Sequence, residues 1–185
     1  MTNAGGNPLF APWRMEWVTR DGNQPDDECV FCTMEADSAD CENRVIARSD
    51  HGYAVLNRSP YNPGHVLVVP TRHVSAYPEL DRLELTDFHQ LQQHTIHVVS
   101  EIYNPDGFNV GMNLGSAGGA SIDDHLHAHI VPRWESDTTF MSVITDTEVI
   151  EESLDTAYDR LHSGFEELDR SKTTDKQTAV RIGQQ

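Results

Sequence analysis

The sequence predicts an α+β domain in which one long helix packs on an antiparallel sheet of about five strands, followed by a C-terminal helix. Short β-branched runs alternate with turns that are rich in glycine and proline. Residues 83–103 have the length and apolar spacing of a helix, and residues 150–168 form a second, acidic amphipathic stretch. The short connections between the strand-like runs favour antiparallel pairing, which completes the prediction.

The first predicted strands form a hairpin. Residues 44–47 and 53–56 are short β-type runs, and residues 49–52 between them are typical of a tight turn. Residues 57–64 contain two prolines and end in glycine, which excludes regular structure there. The β-branched run 65–69 then predicts a central strand that the following proline ends.

The longest predicted element is the helix at 83–103. Its apolar positions recur at helical spacing, and Asn104-Pro105 ends it. A turn with Asp-Gly leads into a further strand at 108–114. The acidic stretch 150–168 predicts the C-terminal helix.

The elements predict one domain with two tails. Residues 1–11 are expected to be flexible, residues 12–168 to form the domain, and the polar residues 169–185 to be disordered. The aromatic segment 13–17 is expected to dock on the domain. Residues 139–144 are expected to form a short edge segment.

The charge balance restricts the partners of the chain. With 30 acidic against 13 basic residues the net charge is −17, and only two of the bases are lysines. Such a surface repels nucleic acid and anionic membranes. Acid-rich, lysine-poor surfaces also suit proteins that work in concentrated salt, so we expect a halophilic source, with an ordinary acidic cytosolic protein as the alternative. The chain has no apolar run of membrane-spanning length and no signal peptide features, so we expect a cytoplasmic protein.

The most informative stretch is 123–134, in which three histidines alternate with apolar residues. This two-residue period is typical of a strand, so His125, His127 and His129 are expected on one face, with neighbouring imidazoles roughly 7 Å apart. The residues expected to pack behind them are Leu126, Ala128 and Ile130. Three imidazoles on one face fit either a metal site or nucleophilic and acid–base chemistry.

The loop before this strand favours an anionic substrate. Residues 115–121 are small, and glycine-rich loops present backbone N–H groups that hold phosphate oxygens. Ser116 and Ser121 add hydroxyl donors, and Arg133 adds a cation near the strand end. On a chain of charge −17, this group of donors indicates a site for an anion.

The cysteines indicate a second site. Cys29 and Cys32 have the spacing of a metal or redox pair, and an odd number of cysteines without a secretion signal argues against a disulfide framework. Two buried free thiols are the alternative interpretation. Cys41 has no evident partner. Three further histidines on the long helix are expected to be surface or packing residues: His89, His94 and His97.

These residues resemble a known family. The run His125-Leu126-His127-Ala128-His129-Ile130-Val131 is similar to the His-φ-His-φ-His-φ-φ signature of the histidine triad (HIT) nucleotide hydrolases and transferases, where φ is an apolar residue. Five segments occur in the order seen in the diadenosine-polyphosphate hydrolase and phosphorylase branch: 12–16, 29–32, 55–65, 107–115 and 131–134. The resemblance covers residues 12–165.

The resemblance implies that residues 12–168 form a HIT domain and that each matching residue has a role. His127 would attack the α-phosphorus and carry a covalent nucleotidyl group, which water or inorganic phosphate then removes. His129 would donate to the phosphate oxygens and stabilise the transition state. Asn57 matches the ribose contact, for which a turn-forming role is the alternative. The remaining matches lie around the phosphates: His65, Asn113, Gly119 and Ser121.

The resemblance also implies a structural zinc site. Cys29 and Cys32 match the zinc knuckle of bacterial and archaeal members, whose other two ligands map to His73 and His125. Two thiolates and two imidazoles would close a tetrahedral site that braces the fold. A Mg²⁺ ion bound with the substrate is compatible with the resemblance, and members of the family are commonly homodimers.

The resulting prediction is an enzyme that cleaves dinucleoside polyphosphates such as diadenosine tetraphosphate. Its expected partners are a nucleotide and a second copy of itself, with no nucleic acid and no membrane. Two alternatives remain: a metal-dependent phosphohydrolase that uses His125, His127 and His129 as ligands, and a low-turnover nucleotide-binding signalling module. Hydrolase and phosphorylase differ only in the second acceptor, and no residue of the sequence distinguishes them.

Overall fold

The structure, a computed structural model, describes residues 29–119, 125–135, 137, 152–168, 171–172 and 178–183. The predictions for segments 1–11, 13–17 and 139–144 lie outside these residues. The strands are β1 (Val45–Arg48), β2 (Gly52–Leu56), β3 (Val66–Pro70), β4 (Gly107–Gly111), β5 (Ala128–Arg133), β6 (Ser171–Lys172) and β7 (Val180–Ile182). The helices are α1 (Val30–Ala36), α2 (Asp40–Asn43), α3 (Arg82–Tyr103) and α4 (Leu154–Glu166), with 3-10 turns at Tyr77–Glu79 and Ser116–Gly118.

The strands form one sheet in the order β4-β5-β3-β2-β1-β7-β6. All neighbouring strands are antiparallel except β1 and β7, which are parallel. This arrangement confirms the predicted α+β class with a mostly antiparallel sheet. The described residues contain seven strands, where the sequence predicted about five.

Side chains alternate between the two faces of the sheet along each strand, and in β1, β2 and β3 both faces are buried. The α3 and α4 helices pack on one face through a cluster that includes Leu56, Val68, Phe88, Ile130 and Leu161. The α1 helix lies on the opposite face in a second cluster that includes Phe31, Met34, Tyr53, Val55 and Leu67. The candidate site lies on this second face, beside α1.

The α3 helix begins and ends close to the predicted bounds of 83–103. The Asp81 carboxylate accepts from the backbone N–H groups of Leu83 and Glu84, and the Glu84 carboxylate accepts from the Asp81 N–H, which forms a capping box. Asn104 ends the helix in a left-handed conformation, with φ 45°. None of the described helices has the length and hydropathy needed to cross a membrane.

The expected disorder of 169–185 is wrong for the residues of β7. Val180 and Ile182 are buried in the core beneath α4. The Ala179 N–H donates to the Asp40 carboxylate at 2.8 Å, and His162 Nε2 lies 2.8 Å from the Thr178 carbonyl oxygen. Contacts with residues far away in the chain therefore order a segment whose own composition is polar.

Candidate functional site

The histidine run lies where β5 passes between β3 and β4. His129 in β5 is opposite Leu67 of β3 and Gly111 of β4, while His125 and His127 come just before the first residue of the strand. The intervening apolar residues pack into the α3–α4 cluster as predicted: Leu126, Ala128 and Ile130. The rings of His127 and His129 have centroids 5.0 Å apart, closer than the backbone spacing alone predicts because they tilt into an edge contact.

A backbone carbonyl fixes the orientation of His127. Its Nδ1 lies 2.9 Å from the carbonyl oxygen of His125, and a carbonyl can only accept. Nδ1 therefore carries the ring proton, and the lone pair is on Nε2. With its side chain largely buried, His127 has the tautomer that a nitrogen nucleophile requires.

His65 and His129 form a directed hydrogen-bonded chain. The Tyr61 backbone N–H donates to His65 Nδ1 at 3.1 Å, so the His65 proton is on Nε2. His65 Nε2 then donates to His129 Nδ1 at 3.1 Å, which places the proton of a neutral His129 on Nε2. His65 is fully buried beneath the Tyr61 ring, so its Nε2 proton is directed to His129 and not to solvent.

The Asn57 side chain makes a turn-forming bond and also contacts His65. Its Oδ1 accepts from the Ser59 backbone N–H at 3.0 Å, which is a turn-forming bond. Its Nδ2 lies 3.2 Å from His65 Nδ1, at the start of the hydrogen-bonded chain. The side chain is partly exposed.

The structure brings the four predicted zinc ligands together. The ligand atoms of Cys29, Cys32, His73 and His125 all lie within 4.8 Å of one another. Cys29 Sγ is 3.3 Å from His125 Nδ1, Cys32 Sγ is 3.2 Å from His73 Nδ1, and Cys32 Sγ is 3.6 Å from His125 Nδ1. Ordinary Zn–S and Zn–N bond lengths place sulfur and nitrogen about 3.6 Å apart on the edges of a tetrahedron. The four residues thus fit a closed zinc site.

His125 is held in the form that binds a metal. Its Nε2 lies 2.9 Å from the Pro70 carbonyl oxygen, so that nitrogen carries the proton and Nδ1 faces the thiols with its lone pair. Burial lowers the pKa of His125 to about 4, which keeps the ring neutral near pH 7. The three histidines of the run therefore do not act as one unit, because His125 faces the cysteines and His129 faces His65.

The loop after β4 presents backbone groups rather than side chains. Gly115 and Gly119 adopt left-handed conformations, with φ 66° and 83°, and the Gly118 N–H donates to the Gly115 carbonyl at 3.0 Å. Gly119 is exposed, and Asn113 is half-buried just before the loop. Ser121 lies outside the described residues.

Arg133, the cation predicted near the strand end, is paired with an acid. Its guanidinium pairs with the Asp137 carboxylate and donates to Asn109 Oδ1 at 2.7 Å. The hydrogen bonds from Arg133 lower the pKa of Asp137 to about 2, so the pair remains ionised and its net charge is zero.

Sequence reasoning missed two aromatic residues of the site. The Tyr61 ring stacks on His65, with centroids 5.0 Å apart, and the Phe31 ring contacts both His125 and His127. Both residues lie inside the matched segments 29–32 and 55–65, which was the available signal. On the long helix, His89 pairs with the Tyr77 hydroxyl at 2.8 Å, which is a packing contact.

Comparisons with known proteins place the chain in one family. The HIT domain family model matches residues 38–136. An AP-4-A phosphorylase of Mycobacterium tuberculosis is 41% identical over 151 residues, covering 79% of this chain and 77% of that protein. A bis(5'-adenosyl)-triphosphatase of Dictyostelium discoideum is 33% identical over 96 residues, covering 52% of this chain and 64% of that protein.

Solved structures show the same fold. A hypothetical histidine triad nucleotide-binding protein from Sulfolobus tokodaii superposes with a TM-score of 0.62 and 25% identity, covering 77% of this chain and 95% of that chain. A Zn-bound histidine triad family protein from Mycobacterium smegmatis also has a TM-score of 0.62, at 22% identity, covering 77% of this chain and 96% of that chain.

Proposed function

The chain belongs to the HIT family, and from this premise we propose that it is a HIT-type enzyme that cleaves dinucleoside polyphosphates at the α-phosphate through a nucleotidyl group on His127. The observation that carries the proposal is the bond between His127 Nδ1 and the His125 carbonyl, at 2.9 Å. It directs the Nε2 lone pair of a neutral imidazole away from the backbone. Diadenosine tetraphosphate is the substrate we propose first, because the M. tuberculosis relative is named an AP-4-A phosphorylase.

The reaction has two displacements at the same phosphorus. His127 Nε2 attacks the α-phosphorus, an N–P bond forms, and the P–O bond to the remaining polyphosphate breaks, so ATP leaves with the electron pair. An oxygen of inorganic phosphate or water then attacks the phosphorus and the N–P bond breaks, which returns the pair to Nε2. Phosphate yields ADP, whereas water yields AMP and releases a proton. His129 donates its Nε2–H to the phosphate oxygens as negative charge develops.

The other matched residues have supporting parts in this proposal. The backbone N–H groups of the loop at Gly119 hold phosphate oxygens, together with Asn113 and with Ser121, while Asn57 contacts the ribose. His65 acts through His129 rather than by touching phosphate, since its Nε2 is bonded to His129 Nδ1. A Mg²⁺ ion carried by the polyphosphate would offset its charge without a ligand from the chain.

We also propose that Cys29, Cys32, His73 and His125 bind a structural zinc ion. The sulfur–nitrogen distances of 3.2–3.6 Å support the proposal because they match the edges of a zinc tetrahedron. Four protein ligands leave no open position, so the metal would hold α1 against the residues that precede β5. Elemental analysis of protein purified without chelator should find about one zinc per chain, and absence of zinc would contradict this proposal.

The metal-dependent phosphohydrolase is disfavoured by the same geometry. Among the described residues, the one Cys/His/Asp/Glu group close enough to hold a metal includes His125 but neither His127 nor His129. A signalling module with little turnover would bind a nucleotide without forming a nucleotidyl group on His127, whereas the proposed enzyme forms one. Detection of an adenylylated His127 by intact-mass and peptide analysis would identify the enzyme.

We propose a homodimer in the cytoplasm of a salt-loving organism. The outer edge of β4 has no partner strand among the described residues, and the side chains of Val110 and Leu114 near it are about half exposed. An open edge with apolar side chains is a surface that a second copy can cover. The charge of −17 supports the absence of nucleic-acid and anionic-membrane partners.

Product analysis with diadenosine tetraphosphate tests the proposed reaction. ADP and ATP that appear only when inorganic phosphate is present would identify a phosphorylase, whereas AMP and ATP without phosphate would identify a hydrolase. Two ADP would instead show cleavage between the central phosphates and would contradict attack at the α-phosphorus. His127→Ala should lower the rate by at least about 10³-fold, and His89→Ala on the outer side of α3 is the matched control. Full activity of His127→Ala would refute the role of His127.

A further inference from the structure

Phe31 lies between Cys29 and Cys32, in the turn that we call the cysteine knuckle (29–32), but it offers no ligand atom for a metal. Its side chain is 2% exposed, and its ring centroid is 5.5 Å from that of His125 and 5.2 Å from that of His127. The ring planes of Phe31 and His125 make an angle of 78°, which is an edge contact, and those of Phe31 and His127 make an angle of 48°. One ring therefore packs against both a member of the Cys/His group and the residue proposed to attack phosphorus.

The position of Phe31 is fixed from two sides. Cys29 and Cys32 flank it in the chain, and their sulfur atoms approach His125 Nδ1 at 3.3 and 3.6 Å. From the sheet, the Tyr53 hydroxyl donates to the Phe31 carbonyl oxygen at 2.8 Å. Burial raises the pKa of Tyr53, so its hydroxyl keeps the proton that it donates.

The His127 ring needs such a neighbour. Its bond to the His125 carbonyl holds Nδ1 but leaves the ring able to tilt about that atom, which would move Nε2 sideways. The Phe31 ring centroid lies 5.2 Å from that of His127. The His129 centroid lies 5.0 Å from the His127 centroid, with an angle of 63° between the two imidazole planes. A displacement of about 1 Å at a reacting atom can cost a factor of about 10² in rate.

We propose that Phe31 is a positioning residue, through which the Cys29–Cys32 knuckle sets the direction of the His127 Nε2 lone pair. The inference rests on the proposed function, because the direction of Nε2 matters only if that atom attacks the substrate. Under this proposal the knuckle does more than brace the fold. A change in the turn at Cys29 and Cys32 would also move the Phe31 ring that supports the His127 imidazole.

The test replaces Phe31 with leucine in the full-length chain as purified. Phe31→Leu keeps most of the apolar volume but removes the flat ring face. We expect kcat for diadenosine tetraphosphate to fall about tenfold or more while KM changes less than about twofold. Nitrogen NMR of the histidine rings should show one His127 tautomer in the unaltered protein and a broadened or mixed signal in the variant, with unchanged bound zinc.

Met34→Leu is the matched control. Met34 is buried in the same cluster and on the same helix but has no ring to place against His127, so its substitution should leave kcat and the His127 signal unchanged. If Phe31→Leu does not fold, Phe31→Met takes its place. Wild-type kcat with an unchanged His127 signal in the Phe31 variant would overturn the proposal, as would an equal loss in Met34→Leu. Absence of cleavage by the unaltered protein would instead reject the proposed function, and the NMR comparison would still test whether Phe31 orients His127.

Discussion

The direction of each imidazole proton in the site follows from its neighbours. Tyr61 donates a backbone N–H to His65, His65 donates to His129, and His127 donates to a carbonyl. Each ring is therefore restricted to one neutral tautomer without any charged partner. The result is a lone pair on His127 Nε2 beside a proton on His129 Nε2, which is the pairing that attack on phosphorus requires.

Replacing His65 with phenylalanine should break this relation while keeping a ring in place. The phenyl ring of His65→Phe would keep an aromatic surface beneath Tyr61 but could not donate to His129 Nδ1, so His129 would divide between two tautomers. We expect kcat to fall about 10- to 100-fold, which is part of the usual contribution of a positioned proton donor. Steady-state kinetics check this expectation, with His89→Phe as the control at a histidine outside the site. Unchanged kcat in His65→Phe would show that turnover does not depend on the bond from His65 to His129.

Which of these residues the sequence revealed depends on the kind of signal. Cys29 and Cys32 are conspicuous because two thiols three positions apart have few uses, and the resemblance supplied His73 and His125. The bond between His65 and His129 joins residues 64 positions apart and has no local pattern. Arg133 and Asp137 are only four positions apart, but their pairing depends on the turn after β5, which the sequence did not predict.

The N-terminus of α3 makes a prediction about pH. Arg72 donates two hydrogen bonds to the Glu84 carboxylate and lowers its pKa to about 2. A carboxyl whose pKa is lower in the folded than in the unfolded protein stabilises the fold above its unfolded pKa of about 4.3, and this contribution disappears as the pH falls towards 2. Glu84→Gln can keep the capping bond to the Asp81 N–H, so it isolates the charge. The difference in free energy of unfolding between the two proteins should be largest above pH 5 and vanish near pH 2 in denaturant titrations.

Glu42→Gln serves as the control, since it removes one carboxylate from an exposed position in α2. Its stability difference from the unaltered protein should vary less with pH than that of Glu84→Gln. A constant difference for Glu84→Gln from pH 7 to pH 2 would contradict the assigned ion pair.

The contact between α3 and α4 depends on a glycine. A Cβ atom at Gly164 would lie 2.7 Å from Ile102 Cδ1 and 2.8 Å from Val98 Cγ1, both too close. Overpacking costs about 1–3 kcal/mol, and the better helix propensity of alanine returns up to about 1 kcal/mol. Gly164→Ala should therefore lower the free energy of unfolding by about 1 kcal/mol. Gly183→Ala, where a Cβ meets nothing within 4 Å, should be close to neutral in the same measurement.

Elements with a repeating pattern were predicted well, and short elements ordered by distant contacts were not. The bounds of the long helix and of the central strand were predicted to within one or two residues. The spacing of their apolar residues and the residues that end them lie within the elements themselves or next to them in the sequence. The α1 helix and β7 escaped prediction, since α1 begins at a cysteine motif and β7 has three residues. Asp40 and His162, which hold β7, are distant from it in the sequence.

For the whole molecule, the dominant property is unbalanced charge. With 30 acidic and 13 basic residues, the carboxylates outnumber the bases by 17. Several of the bases are already used inside the domain, as Arg48 is by Glu35 and Asp40. The remaining carboxylates repel one another across the surface, and this repulsion opposes the compact state.

Salt should therefore stabilise the protein. The screening length falls from about 10 Å at 0.1 M salt to about 3 Å at 1 M, which removes most repulsion between exposed carboxylates. We expect the melting temperature to rise by at least several degrees between 0.1 M and 2 M KCl, measured by calorimetry at pH 7 with zinc content held constant. Sucrose at matched osmolality is the control, because it changes water activity without screening charge. A melting temperature that stays constant or falls in KCl would reject the halophilic interpretation, whereas a rise specific to KCl would show that screening of the carboxylates stabilises the fold.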